Sequence, residues 1–92
     1  MQELPKKLRN KIYERDNWCQ KCGGHITEIH HIYYRNSYPN LIFSENNLLS
    51  LCSKCHKWFH FNKNESMIWF ENRYPERFSK LQKIKNLNSK DI

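Results

Sequence analysis

The 92-residue sequence has few of the residues that build a large core, and long apolar runs are missing. Only 38% of its residues are hydrophobic, and no apolar run is longer than Met67 to Phe70, which excludes a membrane-spanning helix. The first residues are charged and contain no apolar stretch of the kind found in secretory signals, so we expect a reducing, cytoplasmic setting. The length predicts that residues 1–92 form a single domain whose core alone is marginal.

Acidic residues are also scarce. Nine Asp and Glu stand against sixteen Lys and Arg, which gives a formal net charge of +7. A surface of this sign attracts polyanions, and nucleic acid is the first candidate. An anionic membrane is the competing partner, but no segment combines basic residues with a wide apolar helical face. Runs of charge are also common on ordinary solvated helices, so charge alone does not define a function.

Glycine is limited to Gly23 and Gly24, and their adjacency marks a tight turn in which positive φ is permitted. Tryptophan and phenylalanine are more abundant, and we expect Trp18, Trp58, Phe59 and Trp69, together with Ile68, to be buried. Apolar spacing and breaker residues predict helix 5–16, strand 27–35, a strand or extended segment 48–52, helix 53–62, helix 65–74 and a further helix that restarts at Pro75 and frays after about residue 86.

All four cysteines belong to two CxxC pairs, Cys19–Cys22 and Cys52–Cys55. Two such pairs present four thiolates in the tetrahedral arrangement that Zn²⁺ prefers. Two disulfides are disfavoured in a reducing compartment, and a thioredoxin-type redox pair needs a βαβ context that this chain lacks. Iron in a rubredoxin-like site is a further alternative. We favour a structural zinc site, without which so small a domain would not fold.

Four of the five histidines are grouped around these cysteines rather than scattered. His30 and His31 are neighbours on the predicted strand, whereas His56 and His60 are one turn apart on the predicted helix that follows Cys55. If a metal holds Cys22 near Cys52, the strand lies beside the helix and the imidazoles converge. Two or three imidazoles suit a divalent metal with open positions, and another neutral imidazole suits general-base chemistry. With a basic surface, this combination indicates phosphodiester hydrolysis.

Four motifs in sequence order resemble the HNH endonuclease family of the ββα-metal type, as found in small phage and bacterial proteins. They are RDNWCQKCG (15–23), EIHHI (28–32), NLLSLC (47–52) and CSKCHKWFH (52–60). The resemblance implies a small α+β fold with a ββα-metal core at residues 15–60, stapled by a Cys₄ zinc site. An N-terminal helix and a C-terminal helical extension at 63–86 would flank that core. It also implies a cytoplasmic enzyme in a bacterial or phage-infected cell.

The same resemblance implies roles for individual residues. His31 would be the general base, and Asn47 would hold the loop and orient that base. His30 and His56 would bind the catalytic ion, Mg²⁺, Mn²⁺ or another divalent metal, and His60 lies where some members carry a third ligand. Arg35 and Lys57 flank this site and are candidates for contacts to nucleic-acid phosphates.

DNA is the implied substrate and partner, and no membrane partner is expected. A homodimer or two successive visits would be needed to cut both strands, since one site cuts one strand. Two other classes of function stay open at this stage. A non-catalytic zinc module that binds nucleic acid needs the cysteines and the positive charge but not His31. A rubredoxin-like electron carrier needs only the four cysteines.

Overall fold

The computed structural model describes residues 4–33 and 38–90. Within these residues the chain forms four α-helices and a two-stranded antiparallel sheet. In chain order they are α1 (Lys6–Asp16), β1 (Glu28–His31), β2 (Leu48–Leu51), α2 (Ser53–Phe61), α3 (Lys63–Arg73) and α4 (Pro75–Lys90), with 3₁₀ turns at Pro39–Leu41 and Glu45–Asn47. The small α+β fold with flanking helices, predicted from the sequence, is confirmed.

Helix α1 follows Pro5 and buries Ile12 and Asp16, in agreement with the predicted helix 5–16. Proline suits this start because the first turn of a helix has no use for its missing N–H group. The helix ends at Asn17, which has a positive φ of 64° and donates its backbone N–H to the Tyr13 carbonyl over 2.8 Å. Asparagine is one of the few residues that tolerate this backbone conformation.

Strands β1 and β2 pair in a register that places Glu28 opposite Leu51 and His31 opposite Leu48. Strand β1 ends at His31, whereas the sequence predicted strand over 27–35, of which residues 34–37 lie outside the described part of the chain. The physical reason is that the partner strand begins only at Leu48. Beyond it, the backbone of Tyr33 is paired with the side chain of Asn47 instead of with another strand.

Every residue of β2 is buried, although the sheet has no third strand among the described residues. Its outer edge is closed by side chains from two helices. The Leu48 carbonyl accepts hydrogen bonds from Arg15 of α1 and Arg77 of α4, and the Ser50 N–H donates to the Asp16 carboxylate. Buried backbone groups need such partners, so these side chains take the place of a neighbouring strand.

The helices after the sheet begin close to their predicted positions. Helix α2 starts after Cys52, whose Sγ accepts the backbone N–H of Cys55 over 3.4 Å. Helix α3 starts at Lys63, two residues earlier than the predicted 65, and α4 restarts at Pro75 as predicted. Helix α4 continues to Lys90, past the predicted fraying point near residue 86.

The core lies between the sheet and helices α2, α3 and α4. It contains Tyr33, Leu41, Leu49, Leu51, Phe59, Phe70 and Leu81, with Trp58 and Trp69 packed partly buried against it. The predictions that Ile68 and Trp18 are buried were wrong, because each is 59% exposed. Helix α3 turns Ser66 and Phe70 inward, a stripe at four-residue spacing that leaves Ile68 on another face. None of the described helices has the length and apolar character needed to cross a membrane.

Candidate metal centres and catalytic site

The four cysteines converge on one point between the turn that follows α1 and the start of α2. Their sulfur atoms all lie within 4.8 Å of one another. The turn closes through the Gly23 N–H, which donates to the Cys19 carbonyl over 2.8 Å, and Gly23 has a φ of +80°. Gly24 does not adopt positive φ, but a Cβ at this position would lie 3.4 Å from the Cys22 sulfur. Gly23 therefore suits the left-handed backbone of this turn, whereas the contact at Gly24 is an ordinary van der Waals distance.

The spacing of the sulfurs fits one tetrahedral ion better than a disulfide. Two thiolates bound at about 2.3 Å to the same tetrahedral zinc are about 3.8 Å apart. Cys22 Sγ and Cys52 Sγ are 3.7 Å apart, far beyond the S–S bond length of about 2.05 Å. All four cysteines are free thiols. The four thiols are therefore positioned to form a metal site, with the ligand set that structural zinc prefers.

The surroundings of two of these thiols push their pKa values in opposite directions. Burial raises the pKa of Cys19, but backbone N–H groups of Cys22, Cys52 and Lys21 outweigh it and lower the pKa to about 6. Burial, followed by hydrogen bonding with the neighbouring thiols, raises the pKa of Cys55. Four thiolates this close repel one another, so a bound cation is what allows all of them to ionise.

A second cluster consists of three histidines on β1 and α2. The ligating nitrogens of His30, His56 and His60 all lie within 4.8 Å of one another. The two from α2 are separated by one turn and place their Nε2 atoms 3.1 Å apart. Two imidazole nitrogens bound to one ion at about 2.0–2.1 Å are separated by roughly 3.0–3.4 Å. The three histidines therefore suit a divalent metal in a partly open coordination sphere.

The environment favours the neutral, metal-binding form of two histidines in this cluster, His30 and His60. His30 is only 5% exposed, and its ring lies 5.1 Å from that of Phe59. Burial, followed by the nearby His56, His60 and His31, lowers the pKa of His30 to about 3. Burial and then His56 also lower the pKa of His60, although Glu28 opposes that shift. Neutral imidazoles retain the lone pair that a metal needs.

Glu28 is a member of this site that the sequence reasoning missed. Its carboxylate contacts Nδ1 of His56. An Nδ1–H that donates to a carboxylate fixes the tautomer and leaves the Nε2 lone pair directed at the cluster. The available signal was the two-residue spacing of Glu28 and His30, which puts both on one face of a strand.

His31 follows His30 directly, so its side chain leaves the strand on the other face and does not join the three-histidine cluster. Its Nε2 lies 3.1 Å from the carbonyl oxygen of Ile42. When Nε2–H donates to this carbonyl, Nδ1 is the basic nitrogen of the ring. The arrangement orients the imidazole and selects which of its nitrogens can take a proton.

Asn47 is fully buried at the end of the turn that precedes β2. Its Oδ1 accepts the Tyr33 N–H over 2.8 Å, and its Nδ2 donates to the carbonyls of Tyr33 and Leu41, each over 3.1 Å. The carboxamide thus ties the end of β1 to Leu41, the residue before Ile42. It therefore fixes the backbone shortly after His31 and the backbone just before the Ile42 carbonyl that His31 contacts.

Of the two candidates for phosphate contacts, Lys57 belongs to the described part of the chain and Arg35 does not. Lys57 is exposed on α2, directly after His56. Arg35 lies outside the described residues. His25, which the sequence analysis did not include in the site, is exposed in the segment between the glycine turn and β1.

A strand–strand–helix unit that carries convergent imidazoles beside a four-thiol site defines a protein of the ββα-metal class. Residues 19–61, a little under half of the chain, match the family model described as HNH endonuclease. This match indicates a nuclease or nucleic-acid-related function for the matched segment. No curated protein and no solved structure gave a significant match.

Proposed function

We propose that this protein is a metal-dependent HNH endonuclease that hydrolyses DNA phosphodiester bonds. The observation that carries the proposal is the convergence of His30, His56 and His60 on one point. These residues would hold a catalytic Mg²⁺, Mn²⁺ or other divalent ion, and Cys19, Cys22, Cys52 and Cys55 would hold a structural zinc. When bound, the catalytic ion supplies positive charge that polarises the scissile phosphate and neutralises the leaving oxygen.

His31 acts as the general base in this mechanism. Its Nε2–H is engaged by the Ile42 carbonyl, 3.1 Å away, so Nδ1 accepts a proton from the attacking water. The water oxygen forms a bond to phosphorus as the bond to the 3′ oxygen breaks. The leaving 3′ oxygen takes a proton from solvent, and His31 releases its proton to solvent. The products are a 5′-phosphate and a 3′-hydroxyl, as the family resemblance implies.

Three further residues support this step without taking part in it. Asn47 holds the backbone of Tyr33 and Leu41, and so keeps the Ile42 carbonyl in position to orient His31. Lys57 is exposed on α2 beside the metal ligands and contacts a DNA phosphate, as does Arg35. The net charge of +7 favours association with the DNA backbone.

The direct test is a plasmid-nicking assay with and without added Mn²⁺ or Mg²⁺. We expect the native protein to nick DNA only with the divalent ion, and His31→Ala to lose about 100-fold or more of the rate because the general base is missing. The matched control is His25→Ala, which removes an exposed imidazole outside both clusters and should cut at the native rate. Equal rates for His31→Ala and the native protein would overturn the base assignment.

A binding measurement separates the two metal centres. His56→Ala should lose Mn²⁺ affinity in titration calorimetry while elemental analysis still finds zinc, because His56 belongs to the histidine cluster alone. Undiminished Mn²⁺ binding would contradict its role as a ligand. A native protein that binds DNA and zinc but never nicks would instead be a non-catalytic zinc-stabilised nucleic-acid-binding module.

A further inference from the structure

Two arginines outside the matched residues 19–61 converge on one backbone carbonyl of the sheet. Arg15, near the end of α1, donates Nη2 to the Leu48 carbonyl over 2.6 Å. Arg77, in the first turn of α4, donates its own Nη2 to the same oxygen over 2.7 Å. Leu48 is the first residue of β2 and pairs with His31 of β1.

The same two side chains also hold the turn that precedes β2. Arg15 Nη1 donates to the Glu45 carbonyl over 2.8 Å. Arg77 donates Nε and Nη2 to the Asn46 carbonyl over 3.3 and 3.2 Å. The backbone is therefore fixed at both residues before Asn47 and at the residue after it.

This arrangement brings two like charges together in a partly buried place. Burial, followed by the charge of Arg15, lowers the pKa of Arg77 to about 10. Asp16 offsets part of the repulsion, because its carboxylate accepts hydrogen bonds from Nε and Nη2 of Arg15 over 2.7 and 3.0 Å. Packing of the guanidinium of Arg77 over the Tyr74 ring, 4.6 Å from its centroid, further restricts its orientation. Two neighbouring arginines are more than is needed to join two helices to a sheet. They are suited to holding a short turn in place from both sides.

Hydrogen bonds, joined by short steps along the backbone, lead from these arginines to the candidate general base. They hold the backbone around Asn47, and Asn47 donates to the Leu41 carbonyl. The next carbonyl along the chain, that of Ile42, faces Nε2 of His31 over 3.1 Å. A shift of the turn would move Asn47 and with it the acceptor that orients the imidazole.

We propose that Arg15 and Arg77 are positioning residues for catalysis, which act through the Asn47 turn to hold His31 in its working orientation. The proposal rests on the proposed endonuclease function. It makes α1 and α4 part of the catalytic apparatus, although neither lies within the family match.

The test compares substitutions at Arg77 with the same substitutions at Arg73. Arg77→Met removes all three hydrogen bonds and keeps an unbranched side chain, whereas Arg77→Lys keeps the charge and can reach one carbonyl. Arg73 is exposed on α3 and packs over the same Tyr74 ring, so Arg73→Met and Arg73→Lys are matched controls. Cleavage of a labelled duplex gives kcat and KM, and fluorescence anisotropy gives the DNA Kd.

We expect Arg77→Met to lower kcat by about 10- to 100-fold, because a small misplacement of a catalytic group has effects of that size. Its KM and DNA Kd should stay within about twofold of native, and Arg77→Lys should recover part of kcat. The Arg73 variants should match the native protein. An unchanged kcat in Arg77→Met, or a loss that appears only in KM, would overturn the proposal.

A second readout needs no activity. In ¹H–¹⁵N spectra of the zinc-loaded protein, Arg77→Lys and Arg15→Lys should shift the side-chain amide signals of Asn47 and the ring signals of His31, whereas Arg73→Lys should not. Unmoved Asn47 and His31 signals would refute the positioning role even if Arg77→Met does not fold. A native protein that fails to cleave, but whose signals respond as expected, would refute the endonuclease function and not the arrangement of the turn.

Discussion

At the scale of single residues, the chemistry depends on which nitrogen of each imidazole carries the proton. Two different acceptors make that choice in this molecule. The Glu28 carboxylate accepts a hydrogen bond from Nδ1–H of His56, and the Ile42 carbonyl accepts one from Nε2–H of His31. His56 is thereby left with a basic Nε2 and His31 with a basic Nδ1, which suits the first to a metal and the second to a water molecule.

Burial of His30 predicts an acid-dependent loss of stability. Folding lowers its pKa from 6.5 to about 3, so between these values the unfolded chain binds a proton that the folded chain does not. The contribution of neutral His30 is complete above pH 6.5 and is lost as the pH falls towards 3. We expect the free energy of unfolding to decrease by up to about 1.4 kcal/mol per pH unit in this window from His30 alone.

Urea denaturation of the zinc-loaded protein at pH 7, 6 and 5, without other divalent ions, measures this effect. His30→Gln cannot titrate and is the comparison, because the thiols and the other histidines respond to acid in both proteins. The native protein should lose more stability than His30→Gln over the same interval. Parallel pH dependences for the two proteins would show that His30 titrates normally.

Sequence spacing identified the cysteines and the histidines, because metal ligands at CxxC and i, i+4 intervals follow from local geometry. Spacing alone did not separate His31 from His30, His56 and His60, and the different role expected for His31 came from the family resemblance. Glu28 was missed because its two-residue spacing from His30 shows a shared strand face but not a contact with His56. Its role depends on His56, which is 28 residues away in the chain.

At the scale of elements, a strand pair needs something to occupy its open edge. Strand β2 lies beside β1 on one side and is closed on the other by Arg15, Arg77 and Asp16. An isolated two-stranded sheet is marginal in water. These contacts explain how a sheet of only four residues per strand is held inside this fold.

Asp16 is the residue through which this closure can be measured. Asp16→Ala removes the acceptor for the Ser50 N–H and the carboxylate that pairs with Arg15. Because it leaves a buried donor and a partly buried charge without their partner, we expect the free energy of unfolding to fall by about 2 to 4 kcal/mol. Urea denaturation gives this value, and the Ser50 amide should exchange faster with deuterium.

The matched control is Glu14→Ala, which removes the same charge from an exposed position of the same helix. Its stability should change by less than about 0.5 kcal/mol. If Asp16→Ala were no less stable than Glu14→Ala, side-chain closure of β2 would not be a source of stability.

Helix periodicity and proline placement predicted α1, α2 and the restart at Pro75 well, since these signals are local. Strand β1 was predicted too long, because the sequence of 27–35 suits a strand wherever a partner exists and the partner begins only at Leu48. Ile68 and Trp18 were wrongly placed in the core for a related reason. Their apolar character was visible, but the face that each segment turns inward depends on long-range packing.

At the scale of the whole molecule, the two CxxC pairs join parts of the chain that are distant in sequence. Cys19 and Cys22 follow α1, and Cys52 and Cys55 lie at the start of α2, so an ion shared by the four thiols would link the N-terminal helix to the helix that carries His56 and His60. A structural zinc contributes on the order of 10 kcal/mol to folding. That is comparable to the whole net stability of a typical domain, about 5–15 kcal/mol.

We therefore expect zinc removal to unfold the protein. After treatment with a strong chelator, the far-ultraviolet circular dichroism of the helices should be largely lost, and added Zn²⁺ but not Mg²⁺ should restore it. Cys55→Ser should behave like the chelated protein. A native spectrum in protein shown by elemental analysis to be metal-free would contradict a structural role, and a coloured, iron-bearing preparation would favour the electron-carrier alternative.

The bonding pattern of Asn47 has a consequence for how this fold can vary. The Asn47 carboxamide forms hydrogen bonds with the backbone of both Tyr33 and Leu41. These two positions are therefore anchored whatever the length of the chain between them. Insertions between Tyr33 and Leu41 should therefore leave both anchored backbone positions, and the carbonyl that orients His31, where they are.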